Sequence, residues 1–206
     1  LRNPGFESNT DGWSVLTKGE VANDREVRRS GQASLLINNS TPMQSQVSQT
    51  VTLDQASPCA ILVQAAARGE GVSGAPDTGF CLYVDIYHTD GTPRYGITHN
   101  FQTGTTGWQL GELYIEPEKP IRNVNVYLLL RGKSGKAWFD EVSVVEDSRR
   151  KGNIAGQAEV SVDSSYSGYE ATPITDGVIM SEGLHWTQQA WASADEPGEH
   201  FVVFDF

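Results

Sequence analysis

Gly135-Lys136-Ala137-Trp138-Phe139-Asp140-Glu141-Val142-Ser143-Val144-Val145 is an apolar, β-branched run interrupted by two acidic residues. Aromatic and β-branched residues behind a glycine-containing turn have the composition of a strand. The acidic pair is the anomaly. A buried carboxylate without a partner is costly, so Asp140 needs hydrogen-bond donors, a cation or a metal facing it. Neighbours on a strand point to opposite faces, so Asp140 and Glu141 are expected to separate, the wrong arrangement for a catalytic acid/base pair.

Short runs of the same kind recur along the chain, divided by Gly, Asn, Asp and Pro, and no sustained helical periodicity appears. Asn3 to Glu7 is expected to open the first strand, ahead of a turn at Asp11-Gly12 and then Trp13. Strands are expected at 20–28, 34–37, 46–53, 61–68, 80–88, 95–101, 108–115 and 124–130, with the opening stretch closing the set. The 61–68 and 80–88 segments read as a hairpin joined by a Gly-rich loop. These observations predict an all-β protein, an antiparallel β-sandwich of the jelly-roll kind. The polar run Ser148 to Gly152 reads as a linker after a first domain of residues 1–147. Residues 153–206 are too few for an independent sandwich and are expected to be an incomplete second one.

Apolar residues make up 38% of the chain, enough for a packed core. The net charge of −11 is concentrated late: from Lys151 onward there are nine acidic residues and one basic. No clustered basic surface is present, which argues against nucleic acid and against an anionic membrane as partners. No run approaches the ~18 apolar residues of a membrane helix. Leu1 starts directly in domain-like sequence, so a processed or excised segment is expected. Cys59 and Cys81 fall at the starts of the two hairpin strands. Antiparallel pairing would set Cys59 near Thr89, too far from Cys81 for a disulfide, so two separate buried thiols are expected.

Three motifs carry a resemblance. Asn3-Pro4-Gly5-Phe6-Glu7 with Gly12-Trp13, then Arg29-Ser30-Gly31-Gln32-Ala33-Ser34-Leu35, then Ala137 to Val142 together resemble jelly-roll carbohydrate-binding modules of the family 4, 9, 16 and 22 type. They span residues 1–146. Asn153-Ile154-Ala155, Ser164 to Tyr169, Thr175-Asp176-Gly177, Trp191-Ala192-Ser193 and 199–206 resemble the start of a discoidin-like (coagulation factor 5/8 type C) domain.

The first resemblance implies a structural Ca²⁺ held by Glu7, the backbone around Ser30 and Asp140, with Glu20 as an additional ligand. Oxygen donors of this kind suit a hard cation. The plainer reading is that Asp140 accepts backbone N–H groups at a bulge and Glu7 pairs with Arg28 or Arg29. The second resemblance implies a calcium ligand at Asp176. Trp13, Trp108 and Trp138 fall where such modules bury aromatics.

Alternation within 80–88 puts Leu82, Val84 and Ile86 on one face and Tyr83, Asp85 and Tyr87 on the other. In the same way Val124, Val126, Leu128 and Leu130 oppose Asn125, Tyr127, Leu129 and Arg131. Tyrosines among a few polar groups form a candidate sugar-binding face, with Tyr95 and His99 as possible additions from the next strand. Loops at the sandwich edge are the rival location. His88, His99, His185 and His200 lack metal-ligand spacing, and no Gly-x-Ser-x-Gly elbow or phosphate loop occurs, so no catalytic constellation is expected.

The expected function is that of a non-catalytic, glycan-binding ancillary region of a secreted or cell-surface polysaccharide-active enzyme, bacterial in origin. A catalytic domain would lie elsewhere in the parent chain. The alternative is a structural spacer that braces such a domain without glycan affinity of its own.

Overall fold

A computed structural model describes residues 1–147, 158–175, 185–188 and 190–205. The chain divides into two compact units, Leu1–Arg149 and Arg150–Phe206. The expected linker, the Asn153-Ile154-Ala155 opening and Asp176 lie outside the described residues.

The first unit holds β1 (Ser14–Thr17), β2 (Glu20–Asp24), β3 (Ser34–Thr52), β4 (Ile61–Glu70), β5 (Phe80–His88), β6 (Pro93–Asn100), β7 (Gln109–Ile115) and β8 (Ile121–Glu146). All pairings are antiparallel. β3 and β8 are long enough to serve both layers of a β-sandwich. Their 45–52 and 121–130 halves sit in a front sheet ordered β1-β3-β8-β5-β6. Their 34–39 and 135–146 halves sit in a back sheet ordered β2-β3-β8-β4-β7. Leu35, Ile37, Val63, Ala137 and Phe139 from the back and Val47, Leu82, Val84, Val126 and Leu128 from the front bury fully in one core.

Several expected boundaries are corrected. The segments expected at 34–37 and 46–53 form one strand, as do 124–130 and the stretch that starts at Gly135. Gly132 (φ +65°) and Gly135 (φ +111°) bend the chain from one sheet into the other instead of reversing it. Ile61–Glu70 and Phe80–His88 are not a hairpin: β4 lies between β7 and β8, and β5 between β6 and β8. Residues 3–12 form turns, with Asn3, Phe6 and Asn9 at positive φ, so the first strand begins only at Ser14. β2 stops at Asp24 because its Oδ1 accepts the N–H groups of Glu26 and Val27, 2.8 and 3.0 Å away, turning the chain. The two cysteines do not join: Cys81 is fully buried in β5 and Cys59 half-buried before β4.

The β3–β8 ladder breaks between Asn39 and Met43, where both strands change sheets. Asn39 repairs the break. Its buried Nδ2 donates to the carbonyls of Leu130 (2.9 Å) and Lys133 (3.0 Å), and its Oδ1 accepts from Ser45 Oγ at 2.7 Å.

The second unit is described by itself. β9 (Glu159–Val162) pairs antiparallel with β10 (Val202–Asp205), and two 3-10 turns lie at Thr172–Ile174 and Trp186–Gln188. Trp191 Nε1 donates to Ser164 O at 3.0 Å and to Ser165 Oγ at 3.1 Å. No helix among the described residues is long and apolar enough to cross a membrane.

Replacing Asn39 by Ala removes the donor to two buried carbonyls, so urea unfolding of Asn39→Ala should show a loss of about 2 kcal/mol with an unchanged m-value.

Candidate functional site

On the outward side of the front sheet, strand pairing sets the side chains in rows. Tyr83 of β5 lies opposite Tyr127 of β8 and Thr98 of β6, with Ser48 of β3 beyond Tyr127. One row away, Asp85 faces Asn125, and Asn125 faces Thr50. Tyr87 faces Asn123 in the row beyond that. The Tyr83 and Tyr127 rings meet edge to face with centroids 5.5 Å apart, and Tyr87 and Tyr95 do the same at 5.8 Å. All six residues expected from the sequence, Tyr83, Asp85, Tyr87, Asn125, Tyr127 and Arg131, therefore share this side of the sheet, and Tyr95 joins them.

His99 does not. It pairs with the inward Leu82, its ring lies 5.4 Å from Phe101, and its Nδ1 accepts the N–H of Glu112 from β7 at 3.4 Å. The odd–even count fails at β6 because a bulge inserts Tyr95-Gly96 opposite Asp85. Gly96 has φ +79°, and its N–H donates to Asp85 Oδ1 at 3.0 Å. Asp85 is 8% exposed, so the carboxylate serves to hold the bulge as well as to present an acceptor.

Three of the phenols, those of Tyr83, Tyr87 and Tyr127, are held in the neutral form. Burial, then the charge of Asp85 and a hydrogen bond to it, push the Tyr83 hydroxyl above its ordinary range. Burial, then the charge of Asp85, does the same for Tyr127. Tyr87, bonded to the Tyr95 hydroxyl, is raised to about 12. The surface thus offers neutral O–H groups, ring faces and amides, with Thr50 Oγ1 donating to Asn125 Oδ1 at 2.8 Å.

Arg131 closes one end. Its guanidinium lies 5.6 Å from the centroid of Tyr83, so its stem crosses the row formed by Cys81 and Leu129, both buried. Beside it an open depression of about 480 Å³ is lined by Gln44, Asp77, Thr78, Arg131 and Lys133, which places a loop-edge site and the sheet face next to each other.

The acidic anomaly of β8 lies away from this face. Between Asp140 and Ser143 the register with β4 slips, and Glu141 takes a left-handed conformation, φ +51°. This bulge overturns the expected separation of the pair. Asp140, fully buried, accepts from the backbone N–H groups of Arg29 (2.9 Å), Ser30 (3.1 Å) and Glu141 (2.7 Å). Glu141, given no role by the sequence, pairs with Arg29 Nε at 2.7 Å, so both carboxylates grip the same turn. Glu7 grips it from the other side, its two oxygens each 2.9 Å from the N–H of Gln32. Gly31 (φ +60°) is required there: a Cβ would sit 1.9 Å from Glu7 Oε1. Burial raises the Asp140 carboxyl above its ordinary value, against the lowering by its backbone donors.

As a test of fit for calcium, Glu7 and Asp140 converge: Oε1 and Oδ1 lie 3.6 and 3.5 Å from the Cβ position of Gly5. Two carboxylates beside one main-chain turn suit an oxygen-loving cation. Glu20 stands apart, at the far end of β2 opposite Asn38, to whose Nδ2 it is bonded at 3.0 Å. Ser30 contributes its N–H to Asp140. Among the described residues no three His, Cys, Asp or Glu side chains gather as a metal set.

Of the tryptophans expected in the core, Trp13 is buried against Phe6 at 5.1 Å. Trp138 is buried on the outer side of the back sheet, between Arg68 and Lys136, with Nε1 donating to Asp24. Trp108 is only half-buried. In the second unit, Asp163 Oδ2 (2.7 Å) and Ser164 Oγ (3.2 Å) meet the same nitrogen of His200, Nδ1, while Nε2 faces Glu196 O. A hydrolytic triad needs hydroxyl and carboxylate on opposite nitrogens, so this cluster is a structural tie.

No protein-family model matches the chain, and no curated protein matches it by sequence. Solved structures do match. A family 61 module, TmCBM61, in complex with β-1,4-galactotriose is 18% identical with a TM-score of 0.52, over 71% of this chain and 97% of that one. Residues 1–147 have the jelly-roll fold of carbohydrate-binding modules. The C-terminal family 22 module of Clostridium thermocellum Xyn10B is also 18% identical, TM-score 0.52, over 70% of this chain and 91% of its own. The N-terminal family 22 and GH10 modules of the same xylanase, complexed with xylohexaose, match at 16% identity and TM-score 0.54, over 71% of this chain and 28% of theirs.

Replacing Asp140 by Ala removes the one acceptor shared by three part-buried main-chain donors, so thermal and urea unfolding of Asp140→Ala should show a loss of about 2 kcal/mol.

Proposed function

We propose that residues 1–147 are a non-catalytic carbohydrate-binding module, carried by a secreted polysaccharide-active enzyme and concentrating that enzyme on its substrate. The observation that carries this reading is the row system of Tyr83, Tyr87, Tyr95 and Tyr127 with Asn125 and Arg131 on one outward sheet face. Ring faces cover the C–H surfaces of a pyranose, while amides and hydroxyls bond its hydroxyl groups. The likeness in fold to modules solved with galactotriose and xylohexaose supports it. Tethering raises the effective concentration of a catalytic domain without new chemistry.

A structural Ca²⁺ at Glu7 and Asp140 is part of this reading. When bound it would neutralise two carboxylates and join the N-terminal loop, the Arg29–Gln32 turn and β8. The second unit is read as the start of a discoidin-like domain, supported by the antiparallel pairing of β9 with β10 and the bond from Trp191 to Ser164.

Glycan arrays and calorimetry in Ca²⁺ test the main claim: a soluble or insoluble glycan should bind, and Tyr83→Ala or Tyr127→Ala should weaken it about tenfold or more, with stability changed by no more than ~1 kcal/mol. Absence of binding to any glycan would overturn it.

Calcium has its own test. Without a cation, the raised carboxyl of Asp140 favours the fold while protonated, and this contribution disappears as pH rises through its folded value. Calcium needs the ionised form, so the gain in thermal midpoint on adding it should be larger at about pH 7 than at about pH 4. An equal gain at both, or none, removes calcium from the reading.

A further inference from the structure

We infer that the Arg131 end of the tyrosine face recognises an anionic sugar, a uronate or a sulfated unit. This deepens the reading of that face as a glycan site and rests on it. Arg131 is held from two sides. Its backbone N–H donates to Gly79 O at 2.7 Å, and its guanidinium lies over the Tyr83 ring, 5.6 Å from the centroid, the ring itself braced edge to face by Tyr127. A cation–π contact of this kind holds the guanidinium near the ring while leaving its N–H fork available.

The cation has no carboxylate of its own. Among the described residues Arg131 makes no ion pair, and the two carboxylates of its neighbourhood are engaged elsewhere. Asp77 Oδ1 accepts from Gly79 N–H at 2.6 Å and from Lys133 Nζ at 3.1 Å. Asp85 Oδ1 accepts from Gly96 N–H at 3.0 Å, inside the β6 bulge. Lys133, 4% exposed, is spent on Asp77 and on the carbonyls of Ala75 (2.7 Å) and Ser73 (3.4 Å). The Lys133–Asp77 pair cancels itself, and Asp85 lies one row beyond Tyr83, so at this end of the face the guanidinium is the cation without a carboxylate partner.

That charge borders open space. The depression of about 480 Å³ beside it lies within the ~300–1,000 Å³ of ordinary small-ligand clefts and is lined by polar Gln44 and Thr78 and by Asp77, whose carboxylate is paired with Lys133. A Cβ placed on Gly132 would touch nothing within 4 Å, so the approach from this side is clear. A ring lying along the tyrosine row would bring a carboxylate or sulfate group onto the fork, the geometry in which arginine bonds such anions bidentately.

The experiment compares matched ligands on the full chain by calorimetry: polygalacturonate against its carboxyl-reduced form, glucuronoxylan fragments with and without the uronate, and a sulfated galactan against its desulfated form. The acidic member of at least one pair should bind about tenfold tighter, a preference that shrinks as salt rises. The pair that shows it distinguishes uronate from sulfate. Arg131→Gln should reduce the preference to about threefold or less with an unchanged thermal midpoint, and Arg131→Lys should retain part of it. Equal or tighter binding of every neutral member, or a preference that survives in Arg131→Gln, overturns the inference. Neutral binding that depends on Tyr83 but shows no charge preference removes this inference alone, whereas no binding by either member of any pair removes the glycan reading as well.

Discussion

Everything in the first unit hangs on one long antiparallel pair. β3 and β8 run side by side through both layers, so each sheet is built outward from the same two strands. A strand that changes sheets must break its ladder at the corner, and the exposed polar groups there are enclosed by the sandwich. Asn39 answers that constraint with a single side chain that donates to two carbonyls and accepts from Ser45. The front face, with its tyrosine rows, inherits its register from this corner, because the halves of β3 and β8 on either side of it are displaced relative to a continuous ladder.

The second fastening is the turn Arg29–Gln32, gripped by Glu7, Asp140 and Glu141. It ties the start of the first unit to that unit's last strand, a closure over more than a hundred residues. The sequence made Asp140 conspicuous through cost: a carboxylate inside an apolar run has to be answered. It did not reveal how Glu141 would behave, because a bulge adds one residue to one strand and has no signature in the pattern of apolar and polar residues. With the bulge, neighbours that alternation would separate come to the same turn.

The tyrosine face was legible for the opposite reason. β5 and the front half of β8 are regular, so a period of two correctly sorted Tyr83, Asp85 and Tyr87 from Leu82, Val84 and Ile86. The same count went astray at β6, where the Tyr95-Gly96 bulge shifts the register, and His99 turned out to face the other sheet. Pairing partners were the least legible part. Sequence proximity argued for a β4–β5 hairpin, but the two strands lie in opposite sheets, each beside its own half of β8, and no local signal announces a strand that returns from so far along the chain. Arg131 was visible as an outward residue; that it would lie on Tyr83 depends on the corner at Gly132, which tips the strand at that point.

Cys81 lies beneath one end of the tyrosine face. The thiol sits on the outward side of β5, roofed by the stem of Arg131 and by the loop whose Thr78 carbonyl lies 3.2 Å from its Sγ. Burial pushes it up to about 12, so in the closed arrangement it is a poor nucleophile. Any alkylation of this thiol has to wait for the roof to lift. The sulfur and the outer end of the tyrosine face thus share one cover, and whatever displaces Arg131 from Tyr83 also unroofs the thiol.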